Sequence, residues 1–135
     1  MAQEDPMPSI YQIDHIHVVT TDPKATASYF QVMFDAKVVE SHPPGGKQRI
    51  DVELDGLAIF IHQTTPKENL PACPFGRYRG LDHFGLRVND LDEAVADLKR
   101  RGAEFISEPH TLRAGLKIAF IRGPENIRIE LLERS

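Results

Sequence analysis

The sequence holds one cysteine, Cys73, and no tryptophan. A single thiol cannot close an intrachain disulfide, so packing must hold the chain together, and an intracellular, cytoplasmic setting is the default expectation. No apolar run approaches the ~20 residues that span a bilayer, and the opening M-A-Q-E-D-P-M-P-S has no basic-then-apolar signal pattern. No membrane partner is expected. A surplus of positive charge is also missing. The net charge is −4, whereas binding a phosphate backbone asks for a basic surface, so nucleic acid is not an expected partner. What the chain does have is 41% apolar and 27% charged content over 135 residues, with six histidines. That suits one compact domain or two small halves sharing a core.

A stretch near the start returns in the second half. Ile13–Val19 reads I-D-H-I-H-V-V and Leu81–Arg87 reads L-D-H-F-G-L-R, so Asp14 matches Asp82 and His15 matches His83. Each copy opens a strand-like run that leads into a helix-like run. The acidic, Pro-containing residues 1–9 read as a disordered tail. Residues 10–135 read as a single domain, with one module over about 10–64, a linker over about 65–80 and a second module over about 81–135.

In the first module, Ile10–Thr20 is rich in Ile, Val and Tyr, as strands are. Period-two alternation puts Ile13, His15, His17 and Val19 on one face and Asp14, Ile16 and Val18 on the other. Asp22-Pro23 supplies an N-cap acceptor and a first-turn proline, which predicts a helix to about Phe34. Strands follow at Ala36–Glu40, Gln48–Leu54 and Leu57–Gln63, the last two joined by an Asp55-Gly56 hairpin turn. On the last strand Phe60 and His62 lie opposite Leu57, Ile59 and Ile61. The module is β-α-β-β-β.

Thr64–Gly80 contains three prolines and two glycines and reads as the connection. Arg77 and Arg79 fit either a solvated linker or a clamp on an anionic substrate. The second module then repeats the plan. Leu81–Val88 is a strand with His83, Gly85 and Arg87 on one face. Asp90 and Glu93 open a helix that Gly102 stops. Glu104–Ser107 is a short strand, Glu108–Gly115 a loop, and Leu116–Arg122 and Ile127–Glu133 are strands. Aligning the fourth strands places Glu130 where Phe60 stands in the first module. His42 and His110 sit beside prolines in loops and are expected in solvent.

The helix-facing positions are almost wholly apolar. The opposite faces carry His15, His17, Asp51, Phe60, His62, His83, Arg87, Arg128 and Glu130. Burying so many ionisable groups without partners is costly, and water, a metal or a bound substrate would offset the cost.

With I-D-H-I-H-V-V-T-T-D, L-D-H-F-G-L-R-V-N-D-L-D-E-A and I-R-I-E-L-L-E at this spacing, the chain resembles the vicinal-oxygen-chelate superfamily over about Ile10 to Glu133. That superfamily includes glyoxalase I, methylmalonyl-CoA epimerase, extradiol dioxygenases and the bleomycin- and fosfomycin-resistance proteins. The resemblance implies an α+β fold in which two βαβββ modules form a curved mixed sheet around a metal-centred cavity. It also implies a divalent metal held from the first and fourth strands of each module. Carried over, those positions are His15, Phe60, His83 and Glu130. Phe60 departs from the pattern, because it cannot ligate.

The remaining set is His15, His83 and Glu130, which suits Fe, Mn, Zn, Co or Ni. The expected activity is that of a metal-dependent isomerase or lyase of the glyoxalase or epimerase type. It would act on a small oxygenated substrate through a metal-stabilised enolate. His62, His17 and Glu130 are the candidate bases. Phe60, Arg87, Arg128 and Arg77 are the candidate substrate contacts. The two-His-one-Glu set equally suits an Fe(II) extradiol-type ring-cleaving dioxygenase, and a non-catalytic small-molecule binder is a third reading. The resemblance also implies a homodimer, with modules associating edge to edge.

Overall fold

The computed structural model describes residues 10–135, so the expected tail over 1–9 lies outside the described residues. The first module runs β1 (His15–Thr20), α1 (Pro23–Phe34), β2 (Lys37–Ser41), β3 (Arg49–Leu54) and β4 (Leu57–Gln63). The second runs β5 (Phe84–Arg87), α2 (Leu91–Arg100), β6 (Glu104–Arg113), β7 (Leu116–Arg122), a 3-10 turn over Pro124–Asn126 and β8 (Arg128–Arg134). The strands form two four-stranded mixed sheets, ordered β1-β4-β3-β2 and β5-β8-β7-β6. In each sheet the first strand is a free edge, paired in parallel to the last strand of its module. The fold is therefore α+β and duplicated. No helix among the described residues is long and apolar enough to cross a membrane.

Local chemistry sets the element ends. Asp22 Oδ1 accepts from the Ala25 amide at 3.0 Å, capping α1 ahead of Pro23. Asp90 Oδ1 does the same for Glu93 at 3.1 Å in α2. Asp92 and Glu93 lie in the first turn of α2 and Lys99 and Arg100 in its last, each on the side the helix dipole favours. Gly102 leaves α2 with φ +93°, a conformation open to glycine at little cost.

One core lies between the helices and the sheets. Val18, Ile59 and Ile61 from the first sheet, Ile121, Ile129 and Leu131 from the second, and Phe30, Leu91, Val95 and Leu98 from the helices form a single buried cluster. The seam is also tied by polar contacts. Tyr29 donates to the Arg122 carbonyl at 3.4 Å. Arg101 reaches across to the Val32 carbonyl at 2.9 Å and to Asp35 at 2.8 Å. A smaller cluster of Leu116, Ile118 and Leu132, with Phe120 against it, lies on the other face of the second sheet.

Four expectations need correction. The loop expected over 108–115 is strand: β6 continues to Arg113, with register shifts along its pairing to β7. It runs through Pro109 because β6 is an edge strand, where a missing N–H costs no ladder bond. His110 is thus a strand residue, though exposed, with Nδ1 2.9 Å from the Glu108 carbonyl. The first strands also begin later than their composition suggests, at His15 and Phe84. Asp14 therefore does not share a strand face with Ile16 and Val18: it precedes β1 and turns its carboxylate onto His15.

Candidate active site

The two repeat histidines are built alike. His15 Nδ1 is 2.7 Å from Asp14 Oδ2, and His83 Nδ1 is 2.7 Å from Asp82 Oδ2. In each case the residue just before the imidazole engages one ring nitrogen. Beyond that contact the surroundings differ.

Around His83 the structure gathers a compact polar group. Its Nε2 lies 3.4 Å from Glu130 Oε2, and the Glu130 side chain is only 19% exposed. Gly85 lies opposite Glu130 in the β5–β8 register, and a Cβ there would come 3.7 Å from Glu130 Oε1. The tighter approach would be to Leu132 Cδ2 at 3.0 Å, so glycine here lets Leu132 pack against β5. Phe120 stands edge-on to His83 at 4.9 Å, and the Arg128 guanidinium lies over the Phe120 ring at 4.9 Å. Arg128 also approaches Asp82 at 3.9 Å, and Arg77 approaches it from the linker at 3.4 Å. The hydrogen bond with His83 holds the Asp82 carboxyl below the usual carboxylate range; partial burial opposes this, while Arg128 and Arg77 reinforce it. The Arg128 Nε is buried with no hydrogen-bond partner among the described residues.

Around His15 the group is aromatic instead. Phe60 packs on the His15 ring at 4.3 Å, His17 is 6.2 Å from Phe60, and His62 is 6.0 Å from His17. Arg49 lies 5.4 Å above Phe60 and pairs with Asp51. Asp51, expected on this face, is buried; its Oδ1 accepts from the Ile61 amide at 2.8 Å, which fixes β3 against β4. His62 approaches Glu68 of the linker at 3.9 Å and lines a cleft of about 750 Å³ with Lys24, Lys47 and Arg49.

The structure thus brings His83 to Glu130, with Arg128 and Arg77 near Asp82, and His15 to Phe60, His17 and His62. His15 does not join the His83–Glu130 pair: no group of three metal-capable side chains forms among the described residues of one chain. Arg87 lies exposed on β5. His17 and His83 share the wall of a cavity of about 220 Å³, between the β1 edge and Leu81–Phe84. Asp14, Asp82 and Phe120 were missed as site residues. The Asp-His dipeptide in both copies was the available signal for the two acids; nothing in the sequence marked Phe120.

His83 Nε2 and Glu130 Oε2 are two donors that a divalent cation could share, short of a full ligand set among the described residues of one chain. In the tautomer that carries its hydrogen on Nδ1, toward Asp82, His83 has a lone pair on Nε2, 3.4 Å from a carboxylate oxygen. Two electron-rich atoms at that spacing repel unless a proton or a cation lies between them. Imidazole and carboxylate together are a donor set for first-row transition metals, and a carboxylate behind a ligating imidazole is its usual support.

The pattern describing the Glyoxalase/Bleomycin resistance protein/Dioxygenase superfamily matches residues 12–131. The chain belongs to this superfamily. The likeness to curated relatives is local. A probable chloroplastic lactoylglutathione lyase of Arabidopsis thaliana is 39% identical over 56 residues, which is 41% of this chain and 16% of that protein. A 4-hydroxyphenylpyruvate dioxygenase of Coccidioides posadasii is 42% identical over 43 residues, which is 32% of this chain and 11% of that protein. The matches thus span under a fifth of the length of either relative.

Solved structures match along almost the whole chain. A glyoxalase family protein of Enterococcus faecalis has a TM-score of 0.69 at 25% identity, covering 92% of this chain and 98% of that one. A glyoxalase/bleomycin resistance protein/dioxygenase from Nocardioides has a TM-score of 0.70 at 22% identity, covering 95% and 86%. A genomically encoded fosfomycin resistance protein of Listeria monocytogenes has a TM-score of 0.70 at 18% identity, covering 94% of each chain. These last two likenesses establish the fold alone. The superfamily takes in lyases and dioxygenases that handle small molecules, so neither the fold nor the membership selects a reaction.

Proposed function

We propose that this superfamily member is a divalent-metal-dependent isomerase or lyase acting on a small oxygenated substrate. The observation that carries this is the His83–Glu130 contact, with the other His83 nitrogen already engaged by Asp82. His15, His83 and Glu130 would hold the cation. When bound, it would act as a Lewis acid toward adjacent substrate oxygens. The chain itself supplies proton transfer and substrate contacts. His62, whose Nε2 lies 3.9 Å from Glu68 at the cleft, is the base assigned to take a proton and pass it to water or a second carbon. His17, on the wall it shares with His83, is the alternative base. Phe60 presents an apolar surface to the substrate, and Arg128, Arg87 and Arg77 offer cations around it.

His15 stands apart from His83 and Glu130 within one chain, and in this reading a second copy supplies it. Both first strands are free sheet edges, and Ile10, Tyr11, Ile13 and Leu81, just ahead of them, are 75% or more exposed. A symmetric dimer covers these residues and sets His15 of one copy against His83 and Glu130 of the other, twice. The test mixes two inactive variants, His15→Ala and His83→Ala, after unfolding and refolding together. Half the dimers are then mixed, and one of the two sites in each is intact. About a quarter of the wild-type Co(II) sites return. If each chain holds its own site, mixing restores none.

Phe60 supports a second reading. It packs on His15 at 4.3 Å where a fourth ligand would otherwise stand. The resulting two-His-one-carboxylate set with open positions also suits an Fe(II) ring-cleaving dioxygenase. Oxygen uptake with a catechol by the iron-loaded protein separates the two readings.

A further inference from the structure

Two carboxylates compete for the protons of one imidazole in the second module. Asp82 Oδ2 is 2.7 Å from His83 Nδ1, and Glu130 Oε2 is 3.4 Å from Nε2. A neutral imidazole carries one N–H, and whichever carboxylate receives it decides which nitrogen keeps a lone pair. If Glu130 took it, the nitrogen facing Glu130 would be a donor and unable to ligate. The shorter contact is to Asp82. Asp82 is also held from its far side, with Arg77 Nε at 3.4 Å and Arg128 Nη1 at 3.9 Å, both on Oδ1. That leaves Oδ2 turned to His83. The first module repeats the contact at 2.7 Å, but Asp14 is 84% exposed and no arginine pairs with it among the described residues. The aspartate–imidazole contact is thus doubled with the fold, and one copy is braced.

We propose that Asp82 is a positioning residue: braced by Arg77 and Arg128, it draws the His83 proton to Nδ1 in competition with Glu130, so that Nε2 is kept free to bind the metal, and Asp14 does the same more weakly for His15. This rests on the metal-site reading given above. It also gives Arg77 and Arg128 a task that needs no substrate.

Two measurements test it, one without metal. In the metal-free protein at about pH 9, well above the ordinary histidine range, nitrogen NMR of the imidazoles reads which ring nitrogen carries hydrogen. Wild type is expected to show His83 protonated at Nδ1, and Asp82→Ala to move the proton to Nε2, toward Glu130. Co(II) titration is the second measurement. Asp82→Ala is expected to weaken binding by roughly 10–100-fold, the usual cost of losing an outer partner, and Asp14→Ala by less. If Asp82→Ala leaves either the proton position or the Co(II) affinity at the wild-type value while His83→Ala weakens Co(II), the inference is overturned and the metal reading survives. If His83→Ala itself binds Co(II) like wild type, the metal reading fails and takes this one with it. Should Asp82→Ala not fold, Asp82→Asn keeps the shape and removes the charge; wild-type Co(II) affinity in that variant also overturns the proposal.

Discussion

The two halves of this chain share one backbone plan and treat the same imidazole differently. In the first, His15 is exposed and leans on Phe60, with His17 and His62 beyond it. In the second, His83 lies between Asp82 and Glu130, with Phe120 edge-on and Gly85 where the first half has His17. One half is aromatic and open, the other charged and packed. The difference comes down to a few positions on matching strands: Phe60 against Glu130, His17 against Gly85, His62 against Leu132 and Asp51 against Phe120. Duplication supplied two equal scaffolds, and these substitutions gave one the carboxylate and left the other the candidate bases.

The sharpest way to break the comparison is to exchange its defining pair. Glu130→Phe makes the second half resemble the first and removes the carboxylate that faces His83 Nε2. Co(II) affinity should fall by more than the roughly 10–100-fold expected for an outer partner. Phe60→Glu makes the first half resemble the second and should tighten Co(II) by about tenfold, equivalent to about 1.4 kcal/mol. Isothermal titration reads both. Equal affinities in the two variants would mean that the halves do not differ in the way their side chains indicate.

The next test asks whether the halves are separate units. Ile59 and Ile129 are each fully buried in the same cluster. Replacing either with Ala should cost about 2–5 kcal/mol, by lost burial and the cavity left behind. Urea unfolding of each variant should remain a single transition, shifted as a whole, since one core serves both sheets. Two transitions, with only one moved by each substitution, would show modules that stand alone.

Much of this plan was legible beforehand, for physical reasons. The ends of α1 and β4 could be placed because Asp22-Pro23 and Asp55-Gly56 are local signals that act within a few residues. The pairing of Phe60 with Glu130 followed from period-two alternation and repeat alignment. The length of β6 was not legible, since Pro109 reads as a break unless the strand is known to be an edge. The separation of His15 from His83 and Glu130 was not legible either. Alternation assigns a residue to a face; it says nothing about how two sheets are set against each other. That arrangement is decided by the shared core, in which Tyr29, Phe30 and the helix sides of both sheets meet.

Tyr29 sharpens the comparison at that seam. Burial, with Glu104 nearby, pushes its phenol from 10.0 up to about 12. The protonated phenol donates across the seam to the Arg122 carbonyl. The folded value lies above the unfolded one. Its contribution to stability is therefore complete below about pH 10 and is lost as pH rises from there toward about 12. Tyr29→Phe should remove that loss while keeping the ring packing. The stabilities of wild type and variant, compared across this range, should converge with rising pH. Parallel curves would mean that Tyr29 titrates normally and does not tie the halves.

The smallest effect should come from the other seam contact. Arg101 holds the Asp35 carboxyl below its ordinary 3.8 through a hydrogen bond and its charge. Here the folded value is the lower one, so the sign reverses: the contribution is complete above the unfolded value and fades as acid drives the pH down through the folded one. Asp35 is largely exposed, and screened surface pairs contribute little. Asp35 also caps α1 in the left-handed region, at φ 57°. Asparagine tolerates that conformation and keeps a side-chain acceptor, so Asp35→Asn isolates the charge. Thermal melts at neutral pH should show a small loss relative to wild type, shrinking further in high salt and vanishing in acid. A loss that persists in acid would instead assign the role of Asp35 to the helix end, leaving Tyr29 and the apolar cluster as what joins the two modules.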